Sequence, residues 1–193
     1  DGNMHASHNF DVTQWDKDPS NELLLGGLEG VFLLQQVKGN KWIRQQISNN
    51  PSGEVRKGTG SNGTTFVTAI EPMHGSQLSI YTSSKEPAKT NQWQRNIIDD
   101  TLDQGHALAT GDFMSTGDDQ IVAGWRGTRR TGKVGIKFYY PSNKDRSKWE
   151  SIVVDDNQMA TEDIRVSDLN NDGKLDIIAA GRASHNLKIY FNE

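Results

Sequence analysis

The chain reads as an all-β protein: a β-propeller of about four blades, each of four antiparallel strands, belonging to a larger ring. Three observations predict this. A unit of about 50 residues recurs along the 193-residue chain. Each unit alternates short apolar strands with polar turns of Asp, Asn, Gly and Ser. No long segment carries the 3.6-residue apolar period of a helix, so helices should be few.

Three segments align without gaps: His8 to Gly27, His106 to Trp125 and Glu162 to Gly181. Each gives a strand, a polar turn and an apolar strand ending in small residues. A divergent copy runs from Gly53 to Ile70, with its turn at Thr59-Gly60-Ser61-Asn62-Gly63. A third strand of alternating type follows in every unit: Val31 to Leu34, Leu78 to Tyr81, Ile136 to Tyr139 and Leu187 to Tyr190. Three units then show a fourth strand opened by tryptophan, in Lys41-Trp42-Ile43-Arg44, Gln92-Trp93-Gln94-Arg95 and Lys148-Trp149-Glu150-Ser151. The recurring tryptophans are expected to pack between blades. The blades fall at about 1–50, 51–100, 101–156 and 157–193 of a single propeller domain or fragment. A β-sandwich of similar strands need not repeat so regularly.

The last unit stops at Glu193 before its fourth strand, and a three-stranded blade leaves an open edge. Few residues precede His8 to fill it. The expectation is a piece of a longer chain whose missing blades, or another copy, complete the ring; a compact four-bladed ring is the alternative.

Composition bounds the function. Aromatic and β-branched residues recur throughout, so the 19 glycines point to many turns rather than disorder. A formal charge of −4 argues against a nucleic-acid partner. No apolar run approaches the roughly 20 residues of a membrane span. Without cysteine there is no disulfide and no thiol chemistry. The start at Asp1 suggests a missing signal peptide or N-terminal part, and Asn62-Gly63-Thr64 matches a glycosylation sequon.

The strongest motif is Asp168-Leu169-Asn170-Asn171-Asp172-Gly173-Lys174-Leu175-Asp176. Calcium takes about six to eight oxygen ligands, and alternate positions of a tight loop can supply them. Asp168, Asn170, Asp172 and Asp176 would give side-chain oxygens and Lys174 its carbonyl, with Gly173 permitting the turn. The position an EF-hand reserves for glutamate is Ala179, inside an apolar strand, so this is a strand–loop–strand site. The copy at Asp112 has Met114, Thr116 and Gln120 at the later ligand positions, and the copy with Gln14, Asp16 and Asp18 has Pro19 in its turn. Neither is expected to hold an ion.

This nonapeptide, followed by Ile177-Ile178-Ala179-Ala180-Gly181, resembles the FG-GAP or VCBS repeat of integrin-like and bacterial extracellular propellers. The resemblance covers all four copies and is most specific in the last. A looser pattern is similar to the propeller domain of the aldos-2-ulose dehydratase family. Its carriers are Glu71-Pro72-Met73-His74-Gly75, Gly105-His106-Ala107, Ala123-Gly124-Trp125-Arg126-Gly127 and Gly181-Arg182-Ala183-Ser184-His185-Asn186. The second resemblance implies a seven-bladed ring and carbohydrate as substrate class; the first implies an extracellular or periplasmic location, in a family that includes many non-enzymes.

Strand direction sorts the loops independently of any family. The acidic turn lies on one face of the disc. His5, His8, His74, His106 and His185 all map to the other, together with Glu71, Trp125, Arg126, Glu162, Asp163 and Arg182. Imidazoles, carboxylates and arginines around an axis suit a pocket for a polar ligand. His74, His106, His185, Arg126, Arg182 and Glu71 are the candidate catalytic set. Histidine would move a proton and arginine would stabilise an enolate or carboxylate, which is lyase or dehydratase chemistry on a carbohydrate. The same histidines with carboxylates could hold Zn²⁺. Against this stands a plainer reading, in which the histidines bond neighbouring backbone and Arg126 and Arg182 form ion pairs with Glu71 or Glu162. A non-catalytic module that binds glycan or protein, with calcium structural, is the alternative function.

Overall fold

The computed structural model describes residues 4–16, 18–38, 41–83 and 93–193. Lys17 of the first copy and Gln92, at the opening of a fourth strand, lie outside them. The described residues form fifteen strands and no helix. Blade 1 is β1 (Ser7–Thr13), β2 (Glu22–Gly27), β3 (Gly30–Val37) and β4 (Lys41–Ser48). Blade 2 is β5 (Val55–Thr59), β6 (Thr65–Glu71), β7 (Gln77–Ser83) and β8 (Trp93–Asp99). Blade 3 is β9 (Gly105–Gly111), β10 (Gln120–Trp125), β11 (Gly135–Pro141) and β12 (Trp149–Asp156). Blade 4 is β13 (Thr161–Ser167), β14 (Asp176–Gly181) and β15 (Asn186–Tyr190). Each sheet is an antiparallel meander in chain order, and the four are arranged as a β-propeller.

The apolar side chains collect at the seams between blades. Leu24, Leu33, Val55, Val67 and Tyr81 join blades 1 and 2. Phe66, Ile80, Leu108, Ile121 and Tyr139 join blades 2 and 3. Val122, Ile136, Met159, Ile164 and Ile177 join blades 3 and 4. A blade's second strand is covered on both faces, so β6 and β10 are buried nearly throughout and read as continuous apolar runs. The small residues that end these strands have a steric cause. A Cβ on Gly26 would lie 2.8 Å from Val55 of the next blade, and one on Gly124 would lie 2.5 Å from Thr161. The first strand of each following blade packs directly on that spot.

A polar latch accompanies each apolar seam. Asp99, ending β8, accepts bonds from Lys137 Nζ (2.7 Å) and Tyr139 OH (2.8 Å) of the next blade. Asp155, near the end of β12, accepts from Lys188 Nζ (2.9 Å) and Tyr190 OH (2.7 Å). At the first seam Ser48 Oγ meets Tyr81 OH at 2.8 Å. The alternating Lys-x-Tyr of the third strands is therefore the part of the latch that reaches back to the preceding blade. Trp93 and Trp149 pack against seam clusters as expected, but Trp42 is 49% exposed, because no blade precedes it among the described residues to cover that position.

Candidate functional site

The starts of the innermost strands share one distortion. The pairing of β1 with β2 slips between Ser7 and Asn9, leaving His8 as the extra residue of a bulge. The same slip leaves His106 out of register in β9 and Glu162 in β13. In blade 2, Gly53 and Glu54 both bond Ile70, which puts Glu54 at the equivalent place before β5. A bulge re-aims the side chain it frees. All four blades thus present a titratable group at one position: His8, Glu54, His106 and Glu162. The meander order puts these strand starts on the same face as the β6–β7 and β14–β15 turns, which carry His74 and His185.

Three imidazoles converge there from three blades. His8 Nε2 and His74 Nε2 are 2.7 Å apart, so one donates and the other accepts. The His74 and His106 rings stack with centroids 4.7 Å apart, and His8 meets His106 edge-on at 5.5 Å. One ring nitrogen from each of the three lies within 4.8 Å of the others. His8 Nδ1 is buried without a hydrogen-bond partner, although Glu54 Oε1 is 3.4 Å away at poor geometry. His106 Nδ1 is satisfied by the Glu162 carbonyl at 2.9 Å and must donate to it. His74 occupies the left-handed region at φ 53°, a conformation that costs a non-glycine residue energy.

Electrostatics act most strongly on His74. Burial, then the neighbouring His8 and His106, pull His74 down to about 4, so it is neutral at pH 7. Burial pushes the Glu54 carboxyl up, against the opposing pull of Arg56 and His106. Asn9 Nδ2 also donates to Glu54. Imidazole nitrogens are ligands for a divalent transition metal, which would displace the proton shared between His8 and His74, and three of them leave room for a further ligand. Beyond them along the axis lies a cavity of about 380 Å³, flanked by Phe10, Arg56, Thr110 and Arg165 of the four innermost strands.

The expected residues separate into groups. His74 and His106 come together, and their third partner is His8. His185 sits exposed in the β14–β15 turn, also left-handed at φ 52°, with no part in the cluster. Arg126 Nη1 contacts Glu162 Oε1 at 2.5 Å, and Arg182 Nη1 reaches the same oxygen at 3.7 Å. Both arginines therefore stand at the edge of the cluster through Glu162. Glu71 is elsewhere. It is 2% exposed and accepts from Ser52 Oγ, Ser79 Oγ, Tyr81 OH and the Arg95 guanidinium. It belongs to the latch of blade 2, where Ser79 stands in place of the lysine found in blades 3 and 4. The sequence reading passed over Glu54, yet the signal was present: His8, His106 and Glu162 head the three aligned copies, and Glu54 stands near the start of the fourth.

On the opposite face, Asp168, Asn170, Asp172, Lys174 and Asp176 lie along the single turn between β13 and β14. Asp168 accepts from the backbone of Asp172 and Gly173, Asp172 from Lys174, and Asp176 from Leu169 and Asn192. The bonds to Lys174 and Asn170 hold the Asp172 carboxyl below its usual value. The β9–β10 turn repeats the pattern: Asp112 accepts from Thr116 and Gly117, and Gln120 from Met114. Backbone geometry thus survives in that copy although Met114 offers no hard ligand. In the β1–β2 turn, Asp16, Asp18 and Glu22 bring carboxylate oxygens within 4.8 Å of one another. Glu22 takes the place of Asp176 in the repeat.

No protein-family model matches the chain, and no curated protein matches it. What stands is the architecture: the chain is a β-propeller of four successive blades, with three of its histidines gathered at one end of the axis.

Proposed function

We propose that this β-propeller binds a polar ligand of the carbohydrate class at the histidine-lined end of its axis, with Zn²⁺ held by His8, His74 and His106. The observation that carries the reading is the convergence of three imidazoles from three separate blades, one with a buried, unbonded nitrogen. Zinc in such a site would act as a Lewis acid toward a ligand oxygen. The chain's own groups do the rest. Glu54, kept closer to its neutral form by burial, stands ready to exchange a proton. Arg126 and Arg182 offer guanidinium charge to a carboxylate or enolate, at the cost of loosening from Glu162. A base with a pKa far below 7 accepts a proton poorly, so His74 is better suited as a ligand than as a base. Lyase or dehydratase chemistry is the form of catalysis this set would support. Calcium at the Asp168 loop is structural in this reading, and the location extracellular or periplasmic.

The test is a zinc titration of the purified chain against a chromophoric chelator. One equivalent should bind, and His8→Ala, His74→Ala and His106→Ala should each weaken it by about 10- to 100-fold, while His185→Ala leaves it unchanged. The zinc-loaded protein is then incubated with a polyuronate or 1,5-anhydrofructose and followed for unsaturated-product absorbance. Failure to bind zinc, or binding indifferent to all three substitutions, removes the metal site. Binding without product confines the protein to a recognition role.

A further inference from the structure

We propose that a second copy of this chain docks head-to-tail: blade 4 of each copy packs on blade 1 of the other, and the two copies close one ring. The pairing is independent of the histidine cluster. Positions that the repeat makes equivalent stand in different surroundings at the two ends of the row of blades.

Each blade has one side turned toward the blade after it and one toward the blade before. On the forward side the third strands carry Val31, Leu78 and Ile136 at one register, and the next blade buries all three completely. Leu187 holds that register in blade 4 and is 65% exposed, with Ile189 exposed beyond it. The first strands repeat the contrast. The Arg56 side chain, 4.0 Å from Glu54, is 11% exposed in its seam. Arg165 holds the same register in blade 4 and pairs with Asp163 at 2.9 Å, but its side chain is 67% exposed. On the backward side, Leu108 of blade 3 and Ile164 of blade 4 are buried against the preceding blade. Phe10 is their equivalent in blade 1 and is 60% exposed, with Val12 close behind. Both end faces thus carry the apolar pattern of a seam and lack its cover.

The chemistry of the two faces selects a second copy as the occupant. Blades 3 and 4 reach back with a lysine and a tyrosine to an aspartate of the preceding fourth strand. Blade 1 has Phe32 and Leu34 at those two places, and the Arg44 guanidinium lies 5.0 Å from the Phe32 ring centre. Its backward face therefore asks for no acid. Blade 4 ends its sheet at β15 and offers no counterpart of Asp99 or Asp155 among the described residues. Joining these two faces leaves no latch group buried without a partner, whereas a lysine–tyrosine blade set on blade 4 would strand both groups. The new seam continues the three existing ones in the same register. Within one copy the exposure of Phe10 and Leu187 shows that blades 1 and 4 do not cover each other, yet all four innermost strands border the axial cavity. Each copy already curves about the axis, so a head-to-tail contact made twice closes on itself.

Sedimentation equilibrium of the full chain, with chelator present to exclude any metal effect, tests this. The parent should pass reversibly from one chain mass to two and go no higher. Leu34→Lys and Leu187→Glu should each weaken the pairing by at least about 10-fold, because each buries a charge in an apolar seam. Both variants should keep the parent's circular dichroism spectrum. An equimolar mixture of the two should recover the dimer, since one seam is then unaltered and the other joins opposite charges. His74→Ala should pair as the parent does, which separates this result from the fate of the zinc site. A parent that stays at one chain mass, growth beyond two copies, pairing indifferent to Leu34→Lys, or a mixture no better than its components overturns the proposal. Indifference to Leu34→Lys alone would show blade 4 pairing with itself.

Discussion

Asp99 and Asp155 show how much of this fold rests on single side chains. Asp155 is 4% exposed, yet it meets Lys188, Tyr190 and two backbone N–H groups. Burial pushes its carboxyl up, but the bonds from Tyr190 and Lys188 win and hold it below its usual value. The same contest has the same outcome at Asp99, where Lys137, Thr101 and Tyr139 prevail. A carboxyl with a lowered folded pKa stabilises fully above its unfolded value and loses that contribution as pH falls through the folded one. Denaturant unfolding should therefore show stability falling on acidification below about pH 4, with a shallower decline in Asp99→Asn and Asp155→Asn. Tyr139→Phe and Tyr190→Phe should each cost about 1 kcal/mol at neutral pH, the worth of one buried hydrogen bond. An acid profile identical in the Asn variants would remove the latch as its source. Residues such as these were legible only in part. The Lys-x-Tyr alternation was visible, but its acceptor lies about 35–40 positions earlier, a separation no local pattern spans.

At the level of turns and strands the sequence spoke most clearly. Strand order and the acidic turns between first and second strands follow from period-two alternation and Asx–Gly turns, which act locally. The bulges did not announce themselves, because one extra residue at a strand start looks like loop in the chain and appears only against the partner strand. That is why Glu54 escaped notice and Glu71, on the correct face but turned into the seam, did not. The β13–β14 turn carries a separate expectation. If it binds calcium, saturating ion at about 100-fold over Kd adds about 2.7 kcal/mol, or about 5–10 °C in melting temperature for a domain of this size. Asp172→Ala should abolish the gain, and an excess of chelator should reproduce the variant's melting curve in the parent. A melting temperature blind to calcium would leave the turn held by its backbone bonds alone.

Across the whole molecule, stability is distributed over three seams rather than one central core. The outer faces of the terminal blades are less well covered. Leu187, Ile189 and Phe191 of blade 4 are 65%, 43% and 53% exposed, beside the open edge of β15. An uncovered strand edge with apolar neighbours invites pairing with another chain. Sedimentation velocity should show association that grows with concentration, and Leu187→Lys with Ile189→Lys should suppress it; a strictly monomeric parent would contradict this.

The imidazole trio is owned by no single blade. A repeat can be copied, shuffled or lost and still fold against its neighbours, but His8, His74 and His106 make a site only in the order one, two, three. Lineages that multiplied such blades would inherit the scaffold each time and the site almost never. Anything gripped by the three rings would in turn act as a rivet through two seams, so that its release and the parting of the blades become one event.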